Sequence, residues 1–230
     1  MNCSPQLPNN MNENQRYIYD IIVTQIKMGF KSNDVLFDYV TEIIQDERLE
    51  EDVNEAWAKD LIEKQYSKRM DAAQHQWGYP TDPFLLADAF NELRSMGIIA
   101  IHNAGYTTSD GEADVVELEH ALREHGIQSH GYCFYHEQDL ERALSENSPE
   151  LMLAFQKVDN DDPNVTSKIG RTIVEVLRKH RLNAKWSGDV NEKISISPIL
   201  WNKVYERDFG PSFSYGAVSY THLTLPTSTH

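Results

Sequence analysis

The sequence predicts an α+β protein, an N-terminal helical region followed by a mixed or antiparallel sheet of about five strands with helices packed on it. Three observations carry this. Apolar residues recur at helical spacing through the first part of the chain; after Ile98, short strand-like runs alternate with helical stretches; and the last two such runs, NAKWS and KISISPI, are separated only by GDVNE, which suits a strand pair. Short strands and a terminal pair favour helices on one face of such a sheet over a doubly wound parallel one.

In RYIYDIIVTQIKMGF, Tyr17, Ile18, Ile21, Ile22 and Ile26 form one stripe and Gly29 closes the helix. Ser32 caps a second helix with Val35, Leu36, Tyr39, Val40 and Ile43 inward, and the acidic run from Asp46 to Asp52 is a solvated connection. A third helix spans Val53 to Gln76, carrying Trp57, Leu61, Tyr66 and Met70, until Gly78, Tyr79 and Pro80 stop it. Thr81 caps a fourth through Phe84, Leu85, Ala89, Phe90 and Leu93, with Pro83 tolerated in its first turn and Gly97 at its end.

From Ile98, IIAIH reads as a strand, SDGEADVVELEHALREHG as a helix closed by Gly126, and IQSHGYCFYH as a second strand. A helix from Glu137 to Ser145, a strand at LMLAFQKV, a helix from Ser167 to His180 and the terminal strand pair complete the pattern. No internal repeat is visible. The expected organisation is therefore a disordered 1–14, a helical region 15–97, a sheet region 98–207 forming one compact unit with it, and a truncated end at 208–217. The final VSYTHLTLPTSTH, 218–230, lacks charged side chains and matches the one-frame translation of a transposon-end sequencing adapter, so it is set aside as foreign.

Asp plus Glu number 36 against 21 Lys plus Arg, a formal charge of −15 that disfavours nucleic acid and anionic membranes and suits a basic protein partner. Two cysteines, Cys3 and Cys133, give no disulfide framework, and no window approaches a membrane span. A cytoplasmic location and no membrane association are expected. Oligomeric state is not encoded in any feature of the sequence.

The densest chemistry lies in GYCFYHEQDLERAL. Alternation puts Tyr132, Phe134 and His136 on one strand face, with His136 at its end and Glu137 and Asp139 in the first turn of the next helix. Carboxylates there are explained by the helix dipole alone. A functional reading instead makes His136, Glu137 and Asp139 candidate catalytic groups and Tyr132, Phe134, His136 and Gln138 candidate binding groups, where a ligand could meet side chains and helix amides. The second histidine of a zinc-protease helix is absent.

Five histidines, His102, His120, His125, His130 and His136, fall within 35 residues. A transition-metal site from His102, His130 and His136 across adjacent strands is the weak alternative to no metal and no cofactor, since the spacing fixes no tetrahedral set. DNDDPN, Asp159 to Asn164, lacks the glycine and glutamate of a calcium loop and reads as a turn into a Thr166 or Ser167 cap. No nucleophile elbow, phosphate loop or dinucleotide fingerprint is present. Cys133 reads as an inert core thiol, and Trp186 and Trp201 as core anchors.

Together with TDPFLLADAFNELRSMGIIAIHNAGY, LMLAF, SKIG, LNAKWSG and KISISPILW, the GYCFYHEQD stretch resembles a bacterial domain-of-unknown-function family with a central Gly-Tyr-x-Phe-Tyr-His-Glu-Gln-Asp signature. The resemblance runs from Tyr17 to Arg207 and implies no activity. It carries over Gly131, Tyr132, Phe134, His136, Glu137, Gln138 and Asp139 as candidate positions without roles. Relatives with paired cysteines after the first strand differ from NAGYTTSDG here, which has none, and this weakens a transferred zinc site. The expected function is a non-enzymatic protein-binding or regulatory domain, immunity- or adaptor-like. The alternatives are a small hydrolase or metal-dependent enzyme using His136 with Glu137 or Asp139, and a purely structural motif.

Overall fold

A computed structural model describes residues 11–145, 149–160 and 162–205; the expected truncated end and adapter-derived tail lie outside them. These residues form two compact units, one running to Gly78 with the segment from Asn202 added, the other from Tyr79 to Trp201. The boundary falls ahead of the fourth helix rather than after it, because that helix packs on the sheet.

In the first unit, α1 (Glu13–Met28), α2 (Asn33–Asp46) and α3 (Glu55–His75) bury Ile18, Ile22, Leu36, Val40, Ile44, Ala58 and Ile62 against one another. α1 begins four residues before Tyr17, inside the stretch expected to be disordered. Asn12 accepts the Gln15 amide while the Gln15 side chain takes the Asn12 amide, a capping box that satisfies two otherwise orphaned donors. Gly29 ends α1 with φ of 72°, where a side chain would be strained. Lys203 is buried here, its Nζ donating to the Gly29 carbonyl at 2.6 Å, and Tyr66 Oη donates to the Tyr205 carbonyl at 2.7 Å.

The second unit contains α4 (Asp82–Ser95), β1 (Ile98–Ile101), α5 (Thr108–Glu124), β2 (Gly131–Phe134), α6 (Glu137–Ala143), β3 (Leu151–Lys157), α7 (Pro163–Lys179), β4 (Ala184–Lys185) and β5 (Ile194–Ile196). The sheet order is β1-β2-β3-β5-β4, parallel between β1 and β2 and antiparallel elsewhere, so the mixed alternative holds. Residues Ile99, Ile101 and Phe134 meet Val115 and Leu118 of α5. On the other face Phe90 of α4 stacks on His102, and α7 comes so close that a Cβ on Gly131 would stand against Ile169. Helices thus cover both faces, not one. The reason is the parallel β1–β2 pair, whose crossover through α5 must lie on a face while α4 and α7 take the other.

Two boundaries differ from expectation. α7 starts at Pro163, capped by Asp162 whose Oδ1 accepts the Asn164 amide at 2.8 Å, so neither Thr166 nor Ser167 is the cap. A capping carboxylate followed by proline is the stronger helix start. β2 loses Ile127 to His130 because the Ile127 amide closes α5 onto the Leu122 carbonyl. Both edge strands share a device. Arg94, from the last turn of α4, donates Nε and Nη2 to the Ala100 carbonyl of β1 at 3.1 and 2.8 Å, and Arg178 of α7 donates Nε to the Ala184 carbonyl of β4 at 3.0 Å. LRSMGIIA and LRKHRLNA are thus a short structural repeat, with Gly97 and Arg181 at the left-handed position of each turn.

Candidate functional site

β2, an inner strand, ends at Phe134, and Tyr135 and His136 carry the chain into α6. His136 is the N-cap, with extended φ of −103° and ψ of 172°, and its Nδ1 accepts the Asp139 amide at 3.2 Å. A ring nitrogen here does what a serine or aspartate oxygen usually does. The Glu137 amide donates to the Gly105 carbonyl at 3.0 Å, the Gln138 amide to Tyr106 at 3.3 Å, and the Leu140 amide to the His136 carbonyl at 3.2 Å. Every amide of the first turn is therefore satisfied within the chain. The expectation that a ligand meets these amides is corrected by the 105–106 loop, whose carbonyls occupy their directions.

Asp139 is only 1% exposed and has three basic side chains around it. Its Oδ2 lies 3.0 Å from His136 Nε2 and 2.9 Å from Lys193 Nζ, which also reaches Oδ1 at 3.1 Å, with Arg142 Nη1 more distant at 3.5 Å. Because Nδ1 accepts from a backbone N–H, the neutral imidazole carries its proton on Nε2, beside which Asp139 Oδ2 is an electrostatic neighbour rather than a hydrogen-bond acceptor. Lys193 Nζ, 3.2 Å from that nitrogen, therefore meets it donor against donor beside one carboxylate. Thr108 Oγ1 stands 3.1 Å from the same nitrogen as an acceptor. Burial lowers the His136 pKa, and nearby Lys193 and Arg142 lower it further, while Asp139 and Asp110 pull the other way. The ring is neutral near pH 7.

The candidate groups fare differently. Phe134 is fully buried in the α5 contact, so it presents nothing to a ligand, and Tyr132, partly buried, stacks on it at 5.9 Å. Glu137 and Gln138 are partly exposed at the start of α6. His102 is buried on the opposite sheet face, its Nδ1 3.2 Å from Tyr135 Oη and its ring stacked 4.4 Å from Phe90. His130 is exposed before the start of β2, and His136 lies beyond that strand's end, about 20 Å away for an extended chain. The His102, His130 and His136 set is therefore not assembled, and among the described residues no group of three or more His, Cys, Asp or Glu side chains could hold a metal.

Two other expectations resolve structurally. Cys133 is fully buried and its thiol is pushed up to about 12 by desolvation, an inert state. Trp201 lies edge-on to Tyr135 in the core, whereas Trp186 is partly exposed, edge-on to Phe155, with Nε1 donating to the Asp189 carbonyl at 2.9 Å to close the GDVNE loop. A cavity of about 730 Å³ lies at the far end of β2 from His136, lined by Arg123, Gln128, His130, Asp159 and Asn160 among others. Arg123 is held there by Glu119 and Asp159.

Sequence reasoning missed Lys193 and Thr108. They lie 57 and 28 residues from His136. A lysine at the end of a polar loop and a threonine at a helix start both have sufficient local explanations, so only the fold reveals the convergence.

A family model described as a domain of unknown function (DUF6891) matches residues 11–205. No curated protein and no solved structure matches the chain. No helix among the described residues is long and apolar enough to cross a membrane.

Proposed function

The chain belongs to this family of domains of unknown function, and from that premise we propose that it is a non-enzymatic protein-binding or regulatory domain, adaptor- or immunity-like, in which the His-Glu-Gln-Asp stretch is a structural clasp. One observation carries the reading. Both nitrogens of His136, all four first-turn amides of α6 and the Asp139 carboxylate find partners inside the chain, so the most distinctive residues are consumed in holding the fold together. Binding energy must then come from elsewhere on the surface. A charge of −15 supplies long-range attraction for a basic protein.

The hydrolase alternative draws on the 3.1 Å approach of Thr108 Oγ1 to His136 Nε2, which resembles a nucleophile beside its base. Its weakness is the tautomer. A general base needs a free lone pair on Nε2, and the cap bond at Nδ1 places the proton on that very nitrogen.

The deciding experiment captures partners on the immobilised full chain at about 50 mM and about 500 mM salt, across which screening strengthens several-fold. A defined basic protein retained at low salt and released at high salt is expected, and retained equally by His136→Asn. No specific partner at either salt sinks the binding reading, and stoichiometric metal lost on His136→Ala would install the enzyme reading instead.

A further inference from the structure

We propose that His136, Asp139 and Lys193 form an acid-released clasp that fastens the loop ahead of β5 to the start of α6. The cluster joins two distant segments. Lys193 immediately precedes β5, a strand of three residues whose outer neighbour β4 has two, so this corner of the sheet has few ladder bonds of its own. Its bidentate bond to the buried Asp139 ties the corner to α6, and Asp139 is in turn positioned by its own amide on His136 Nδ1.

The cap bond at Nδ1 requires the neutral ring. A proton added to Nδ1 would face the Asp139 N–H across 3.2 Å, donor against donor, and the cap would be lost. The same proton would put a second full positive charge 3.2 Å from Lys193 Nζ, with one carboxylate between them. The groups facing the ring are Asp139 and Arg142 from α6, Thr108 and Asp110 from α5, and Lys193 from the loop before β5, while Tyr132 and Phe134 on its own strand face bring no charge at these pH values. The two carboxylates do not outweigh burial and the two cations, which agrees with the lowered pKa.

The sign follows. A histidine whose folded pKa is below its unfolded value of about 6.5 is bound to more protons when unfolded, so its stabilising effect is complete above that value and is lost as pH falls toward the folded pKa. Acid therefore opens the clasp, freeing the Lys193 loop and the first turn of α6 ahead of general acid unfolding.

The test follows the His136 imidazole and the Asp139 and Leu140 amides of the full chain by NMR between about pH 7.5 and 5.0. The ring should titrate below about 6.5, and the two amides should lose at least about tenfold more protection than core amides of β2 and β3. His136→Asn keeps an acceptor for the cap and cannot titrate, so the excess loss should vanish. Lys193→Gln should move the ring's midpoint upward by removing a neighbouring cation. A ring titrating at or above its ordinary value, an excess loss that persists in His136→Asn, or a midpoint that stays put or falls in Lys193→Gln would each overturn the clasp. None of these outcomes depends on whether a partner protein is found.

Discussion

Asp139 shows how one residue can have two sufficient explanations, only one of which is complete. At the third position of a helix a carboxylate is expected from the dipole alone, and exposed dipole contacts contribute about 0.3–1 kcal/mol. Here the carboxylate is buried, and the balance depends on partners instead. Removing one member of a buried pair costs about 3–5 kcal/mol, because the remaining charge is left in a poor solvent. Lys193 is 28% exposed at its side chain, so Lys193→Met should fall at the lower end, about 3 kcal/mol by urea denaturation. Pairing it with Asp139→Asn should recover most of that loss. A single-variant cost below about 0.5 kcal/mol would mean that Asp139 is solvated in practice.

At the scale of elements, helix propensity and packing give opposite answers for Gly111. It lies inside α5, where alanine is ordinarily better by about 1 kcal/mol. A Cβ there would stand 2.8 Å from Phe134 Cδ2 and 2.9 Å from Cζ, and that ring is fully buried with nowhere to move. Overpacking of this kind costs about 1–3 kcal/mol, so Gly111→Ala should destabilise by up to about 2 kcal/mol net. A rise in melting temperature would show that α5 rides on β1 and β2 more loosely than described. The paired arginines on the edge strands belong to the same scale. Each covers a carbonyl of an edge strand, leaving less of that edge to recruit another chain. Their shared motif escaped sequence inspection because only a leucine, an arginine and an alanine recur, while the common backbone conformation is reached through glycine in one copy and arginine in the other.

For the molecule as a whole, the segment from Asn202 returns to the helical unit after the sheet is complete. Lys203 Nζ on the Gly29 carbonyl, Arg69 Nε on the Lys203 carbonyl at 3.1 Å and Tyr66 on Tyr205 make it part of that unit's core rather than a tail. Burial holds the Arg69 pKa down to about 10, a sign of how dry this contact is. At about 1 kcal/mol net per hydrogen bond, a chain ending at Trp201 should lose at least about 2 kcal/mol of protection at α1 and α3 amides in hydrogen exchange. Unchanged protection there would show the segment to be dispensable.

Much of this was legible from residue order. The four N-terminal helices, the mixed sheet and the inert Cys133 follow from period, turn chemistry and burial preference, which act over a few residues. The inward stripes hold only in part: Tyr17 and Val35 are exposed, and Ile44, Ala58 and Ile62 take the buried positions of α2 and α3. The boundaries that moved did so through local chemistry, a capping box at Asn12 and an Asp162-Pro163 start, stronger than the signals first weighed. Tertiary structure alone decided that helices cover both sheet faces, that His102 and His136 serve separate environments, and that Lys193 and Thr108 join the His136 cluster. Those outcomes depend on which strands become neighbours. Strand order is set by the summed burial of whole faces, and no local pattern of side chains records it.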